Sequence, residues 1–244
     1  MIRPFIIPLL MLAGFSQVTD PITIIDRVDK NTVTGTASYD AKLSISMAGE
    51  IREKEFVGYV QGKDRSYMEF NAPARDKGTR FLKLGDEMWI FIPAVEKATK
   101  IAGHMLRQSL MGSDFSYDDL LENKKLKELY TIELIGSDTV FGQECYRLEL
   151  IAKVEEVAYY KRRLCVDKKT YIPVKVELYA KSGKLMKEIL ISDYQKIGER
   201  NYPTKIRMVN MLRQNTYSEL TLTKIKIDAE IPSKIFTKFY LERK

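Results

Sequence analysis

The chain is poor in the residues that most often carry chemistry. Its 244 residues include one histidine, one tryptophan and two cysteines. A structural zinc site needs four nitrogen or sulfur ligands in a tetrahedron, and His104, Cys145 and Cys165 do not supply them. No G-x-S-x-G elbow occurs, so although His104, Ser109, Ser113 and Asp114 lie close in sequence, nothing marks a serine as a hydrolase nucleophile. The D-x-[DN]-x-[DN]-G pattern of a calcium loop is also missing. There is no βαβ alternation, repeat, linker or low-complexity tract, which argues against a doubly wound fold and against an array of modules. No cofactor is implied, and an enzyme is not the expectation.

Acidic residues are the minority charge, 33 against 40 Lys and Arg, for a formal net charge of +7. Such a surface attracts nucleic acid, anionic headgroups or an acidic partner, and net charge does not choose among them. The amino terminus narrows the choice. MIRPFIIPLLMLAGFSQVTD opens with Arg3, runs apolar from Phe5 to Phe15 and then turns polar, which is the shape of a secretory signal and too short for a comfortable membrane span. Gly14 and Ser16 place the cut after Ser16, giving a signal over 1–16 and one domain over 17–244. Pro4 and Pro8 keep an uncleaved anchor open as the alternative. Leu12-Ala13-Gly14 begins a lipoprotein cleavage box, but Phe15 stands where the lipid-bearing cysteine belongs. The expected location is the periplasm, without a lipid anchor, where nucleic acid is the poorest of the candidate partners.

What is abundant is strand pattern. Asp20-Pro21 opens a helix over about 21–30, with Ile22, Ile24, Ile25 and Val28 on its apolar face. After it come short alternating or apolar runs separated by turns at Ala48-Gly49, Gly62-Lys63-Asp64, Gly85-Asp86 and Lys181-Ser182-Gly183-Lys184. Counted together they predict a mainly β fold of about 11 antiparallel strands, a large curved sheet or barrel. A hairpin centred on residue 155 sets Cys145 opposite Cys165, and an oxidising compartment then favours a disulfide between them. The same register pairs Glu149 with Lys161, which helps, and Arg147 with Arg163, which does not.

Residues 93–123 break the strand rhythm, and long weakly periodic insertions of this kind are usually lids or binding loops. Within them LMGSDFSYDDL reads as a capped turn: Ser116 and Asp119 have capping-box spacing ahead of Leu120. Met88-Trp89-Ile90-Phe91-Ile92 is apolar on both faces of its strand. The insertion adds Ile101, Met105, Leu106, Leu110, Met111 and Phe115, a methionine-bearing cluster of the adaptable kind. Helices closing the core over the sheet is one reading of this excess; an apolar cavity between sheet and lid is the other.

The run MWIFIPAVEKATKIAGHMLRQSLMGSDFSYDDL resembles the outer membrane lipoprotein-sorting protein family of the LolA type. So do APARDKGTRFLKLGDEMW before it, and VDKKTYIPVKVELYAKSGKLMKE and IPSKIFTKFYL after it. The resemblance implies an incomplete, half-open antiparallel β-barrel whose concave face is covered by short helices and encloses an apolar cavity for acyl chains. It implies that Trp89 and Phe91, with Leu82 and Leu84 on the neighbouring strand, face that cavity. Met105, Leu106, Leu110 and Met111 would belong to the cover, and 112–116, with Phe115, would shape its exit. The chain departs from the pattern at Phe15 and at His104. The function implied is a monomeric periplasmic carrier of lipid or lipoprotein acyl chains, working with an inner-membrane exporter or an outer-membrane acceptor. A non-catalytic lipid sensor or exporter accessory subunit is the alternative.

Overall fold

The computed structural model describes residues 20–32, 35–121, 126–155 and 157–243; the expected signal segment, 1–16, lies outside them. Helix α1 (Pro21–Thr32) starts where the sequence places it. Both Asp20 carboxylate oxygens accept backbone N–H groups, from Ile22 at 3.3 Å and Thr23 at 3.0 Å, and satisfy donors the helix leaves open. Ile24, Ile25 and Val28 are buried while Ile22 is exposed, so the apolar face is one residue narrower than its spacing suggests.

The strands are β1 (Thr36–Met47), β2 (Glu50–Gln61), β3 (Arg65–Ala72), β4 (Arg80–Leu84), β5 (Glu87–Ile92) and β6 (Lys97–Ile101), then β7 (Tyr130–Val140), β8 (Gln143–Ala152), β9 (Lys161–Asp167), β10 (Pro173–Tyr179), β11 (Leu185–Ile197), β12 (Arg200–Asn210) and β13 (Thr216–Ile227). They form one sheet of 13 strands in the order β6-β5-β4-β3-β2-β1-β13-β12-β11-β10-β9-β8-β7. Every pairing is antiparallel, and the sheet is not closed, with β6 and β7 as its edges. The strand the sequence does not announce is β6. As an edge strand it buries little, and its sequence KATKI carries one buried apolar side chain, Ile101.

Between β6 and β7 the chain makes only short elements: 3-10 turns at Gly103–Arg107 and Leu110–Gly112, then α2 (Tyr117–Leu121) and α3 (Leu126–Leu129). This connection touches strands far apart in the sheet. Lys83 of β4 donates to the Leu120 carbonyl at 3.5 Å, while the adjacent Asp119 bonds Lys187 of β11 at 2.6 Å. In the strand order β4 and β11 are six steps apart, roughly 29 Å across a flat sheet at the usual strand spacing. Two consecutive residues reach both only because the sheet curls around the connection. One face therefore carries α1 and the lid; the other carries the carboxy-terminal segment, a 3-10 turn (Ser233–Phe236) and α4 (Lys238–Leu241).

The cysteines correct the expected hairpin. β8 and β9 pair Cys145 with Asp167, Arg147 with Cys165 and Glu149 with Arg163, two residues away from the expected register, and both thiols are free. The cause lies at the loop end, where Ala152 N–H donates to the Tyr160 carbonyl at 2.9 Å and Lys153 N–H to the Leu129 carbonyl at 2.8 Å. The Tyr130 hydroxyl reaches the Tyr159 carbonyl at 2.8 Å. This arrangement also relieves the like-charge pair, because Arg163 now bonds Glu149 at 2.8 Å and Arg147 faces a neutral thiol. Burial pushes the Cys145 thiol up to about 11, so it is almost wholly protonated at neutral pH and a poor nucleophile. Thiol counting without reductant should give two reactive groups per unfolded chain, with Cys145 labelling slowly in the folded state; a count of zero after unfolding would restore the disulfide.

Candidate functional site: the lid and the sheet face beneath it

On the lid side, the odd positions Leu43 and Ile45 of β1 and the even positions Phe56, Met68, Phe70 and Met88 of β2, β3 and β5, with Phe81 of β4, form a buried floor with Ile101. Leu110 and Phe115 of the lid join that floor. Gly58 belongs to the same face: a Cβ there would lie 2.3 Å from the Tyr39 ring, so only glycine lets the ring cross β2. Around the floor runs a band of apolar side chains that stay half-buried: Ile90 from β5, Met105, Leu106 and Met111 from the lid, and Ile189, Ile206 and Leu220 from β11, β12 and β13. A groove of about 190 Å³ opens beside it, lined by Arg107, Tyr159, Met186, Lys187 and Leu212 among others.

Two carboxylates fix the lid over this face. Asp114 is buried; its oxygens accept from the Ser218 hydroxyl at 2.7 Å and the Thr216 hydroxyl at 3.1 Å, and its own N–H donates to Ser218 Oγ at 2.9 Å. That pins the lid to β13. Asp119 accepts from Ser116 N–H at 2.7 Å, the backbone half of the expected capping box. The same carboxylate also takes Ser116 Oγ at 2.8 Å, Lys187 Nζ at 2.6 Å and the Tyr159 hydroxyl at 2.7 Å. Burial, reinforced by the Asp119 charge, raises Tyr159 far above an ordinary tyrosine, so it remains a donor at any physiological pH. The capping residue is thus also the tie between lid and β11. Three residues ahead of the first anchor, Met111 is held at a φ of 51°, a left-handed conformation that costs a residue with a Cβ about 1–2 kcal/mol. Its turn is closed by Leu110 N–H donating to the Phe115 carbonyl at 2.8 Å and Ser113 Oγ to the Leu110 carbonyl at 2.7 Å.

Five of the nine expected site residues are brought together here: Met105, Leu106, Leu110, Met111 and Phe115. The other four are not. Leu82, Leu84, Trp89 and Phe91 lie on the opposite face of β4 and β5, packed with Tyr67 against Ile235, Phe236 and Leu241 of the carboxy-terminal segment. The Trp89 ring lies 3.6 Å from Lys238 Nζ, a cation–π contact. The cause is the two-residue period of a strand: Trp89 and Phe91 point away from whatever Met88 and Ile90 touch. Residues of β11–β13 that share the lid face were missed, although Ile206/Met208 and Leu220/Leu222 show the alternation that marks an inward stripe. The residues of a possible triad are committed elsewhere, Ser113 to a carbonyl and Asp114 to β13, while His104 is exposed. Among the described residues no group of His, Cys, Asp and Glu could hold a metal ion, and no helix is long and apolar enough to cross a membrane.

This architecture is the LolA-type fold. The structure is similar to that of a domain described as outer membrane lipoprotein-sorting protein from Vibrio parahaemolyticus (TM-score 0.81, 22% identity, covering 91% of this chain and 98% of that one). It is also similar to a LolA superfamily protein from Nitrosomonas europaea (TM-score 0.76, 23% identity, 91% and 99%), and to a DUF1329 family protein from Desulfovibrio piger (TM-score 0.84, 26% identity, 91% and 100%). A family model described as "Uncharacterized protein" matches residues 62–243, and the chain belongs to that family. No curated protein matches the sequence.

The Asp119–Lys187 pair sets a stability test. Both side chains are nearly buried, at 9% and 12% exposure, so Asp119→Ala strands a buried ammonium and should cost about 3 kcal/mol in urea denaturation. Adding Lys187→Met should recover at least half of the loss. A double variant no more stable than the single one would show that the ion pair does not tie down the lid.

Proposed function

We propose that the chain is a periplasmic carrier that holds the acyl chains of a lipid or lipoprotein between the lid and the curled sheet, for transfer between membranes. The observation that carries this reading is the half-buried apolar band formed by Ile90, Met105, Leu106, Met111, Ile189, Ile206 and Leu220. A core complete in itself buries such residues; side chains left half-wet around a buried floor suit an apolar occupant. Methionines on the lid side, Met105 and Met111, suit chains of differing shape because their unbranched side chains repack easily.

The energetics are adequate without a polar anchor. At about 0.8 kcal/mol per buried methylene, an acyl chain gains on the order of 10 kcal/mol before ordering costs are subtracted. Binding therefore needs no bond-making, and release calls for a partner with an apolar surface of its own, such as an inner-membrane exporter or an outer-membrane acceptor. The likeness to a lipoprotein-sorting domain supports the same class of cargo.

Transfer of a fluorescent lipid between two vesicle populations tests the reading. The wild-type chain should accelerate transfer, and Ile206→Asp, which sets a charge in the apolar band, should reduce it at least tenfold while Ile206→Leu leaves it near normal. Uptake of lipid without any acceleration of transfer would point instead to a sensor or an exporter's accessory subunit.

A further inference from the structure

At the end of the sheet where α1 stops, three segments meet around a second cavity of about 160 Å³: the last turn of α1, the β9–β10 turn and the β11–β12 turn. A polar network fixes its walls. Asn31, buried, donates through Nδ2 to the carbonyls of Thr170 at 2.8 Å and Tyr171 at 3.3 Å, and its Oδ1 accepts the Asn201 N–H at 3.0 Å. Asn201 Nδ2 donates to the same Thr170 carbonyl at 3.2 Å. Asp167 shapes the β9–β10 turn by accepting the N–H groups of Lys169 at 3.1 Å and Thr170 at 2.6 Å. Arg200 donates to the Lys30 carbonyl at 3.0 Å, which quiets the negative end of the α1 dipole beside the cavity.

The walls are neutral amides and hydroxyls, but the side chains at the mouth are not. Arg27, Lys30 and Lys169 line the cavity, and Glu199 is the one carboxylate that does. Lys30 bonds Glu199 at 2.9 Å, and the Glu199 side chain is 86% exposed, so it can turn to solvent when another anion arrives. Arg27 lies over the Tyr171 ring with its guanidinium carbon 5.5 Å from the centroid, which orients the charge without neutralising it. Among the described residues neither Arg27 nor Lys169 has a carboxylate within salt-bridge distance. Three cations from two rigid segments thus surround a polar cavity with a single mobile counter-charge.

We propose that this cavity is a binding site for a phosphate group. A phosphate offers oxygens in several directions and one or two negative charges, matching cations spread around a mouth; a carboxylate has two coplanar oxygens and satisfies fewer of them. The inference stands apart from the acyl-chain site, since it rests on different residues. The phosphate can belong to a lipid headgroup or to a free phosphorylated solute.

Calorimetric titration of inorganic phosphate into the full chain at fixed ionic strength is one arm of the test. Sedimentation with vesicles of phosphatidylcholine, with and without phosphatidylglycerol, is the other. Arg27→Gln/Lys169→Gln should weaken binding at least tenfold in whichever arm shows it, whereas Lys181→Gln on the β10–β11 turn should leave it unchanged. Both altered side chains are exposed, and an unchanged melting temperature verifies the fold; should the double variant melt lower, Lys169→Gln alone takes its place. Saturable phosphate binding without vesicle binding assigns a soluble ligand, and vesicle binding that needs phosphatidylglycerol assigns a headgroup. Absence of binding in both arms, or binding indifferent to Arg27 and Lys169, overturns the proposal.

Discussion

The two edge strands of the sheet, β6 and β7, follow one another in the chain yet lie at opposite ends of a 13-strand order. The segment joining them has to cross the sheet, and the rest of the structure follows from that crossing. A flat sheet would put the edges more than 50 Å apart at normal strand spacing. A connection built of short helical turns closes such a gap only over a curled sheet. The same segment then has nowhere to lie but on the face it crosses, where it becomes a cover held by contacts to β4, β13 and β11.

The forces that hold the cover are divided along its length. Its polar bonds are concentrated at Asp114 and Asp119, where carboxylates meet hydroxyls and an ammonium in near-buried sites, so these points are specific and costly to break. Its apolar part is graded instead: Leu110 and Phe115 are buried, while Met105, Leu106 and Met111 remain half-buried. Polar anchors set where the lid sits, while the apolar side chains beside them stay only partly buried. The opposite face shows the contrast. There the carboxy-terminal segment closes over Tyr67, Leu82 and Phe91, and Arg243 ties it to Glu69 at 2.5 Å and to the Tyr67 hydroxyl at 2.6 Å. That face keeps half-buried apolar side chains too, Leu84, Trp89 and Ile231 among them, but the carboxy-terminal segment already lies on it.

Much of this was legible in the sequence, and the misses have physical causes. The Asp20-Pro21 start, the glycine turns and the alternating runs all report local backbone preference, and the structure follows them. Position 89 is different. In Met88-Trp89-Ile90-Phe91-Ile92 every residue is apolar, so the two-residue period carries no information about which side faces the lid. The clue lay in the distant IPSKIFTKFYL, whose Ile235, Phe236 and Leu241 needed a surface of their own. β6 was hidden because an edge strand with one buried side chain looks like loop. The cysteine register failed by two residues, and the opposed Arg147 and Arg163 it required were the warning. The Asp119 tie to Lys187 spans 68 residues of sequence, and no local pattern announces such a pair.

The central claim is that acyl chains occupy the lid face of the sheet and not the face closed by the carboxy-terminal segment. The single tryptophan makes this directly measurable, because Trp89 and Ile90 are neighbours on β5 that point to opposite faces. Steady-state emission should be recorded as brominated-chain lipid is added to the wild-type chain and to Trp89→Phe/Ile90→Trp, which moves the indole to the lid face. The account predicts quenching in the double variant and none in the wild type; quenching of Trp89 in the wild type with an unresponsive residue-90 indole would contradict it.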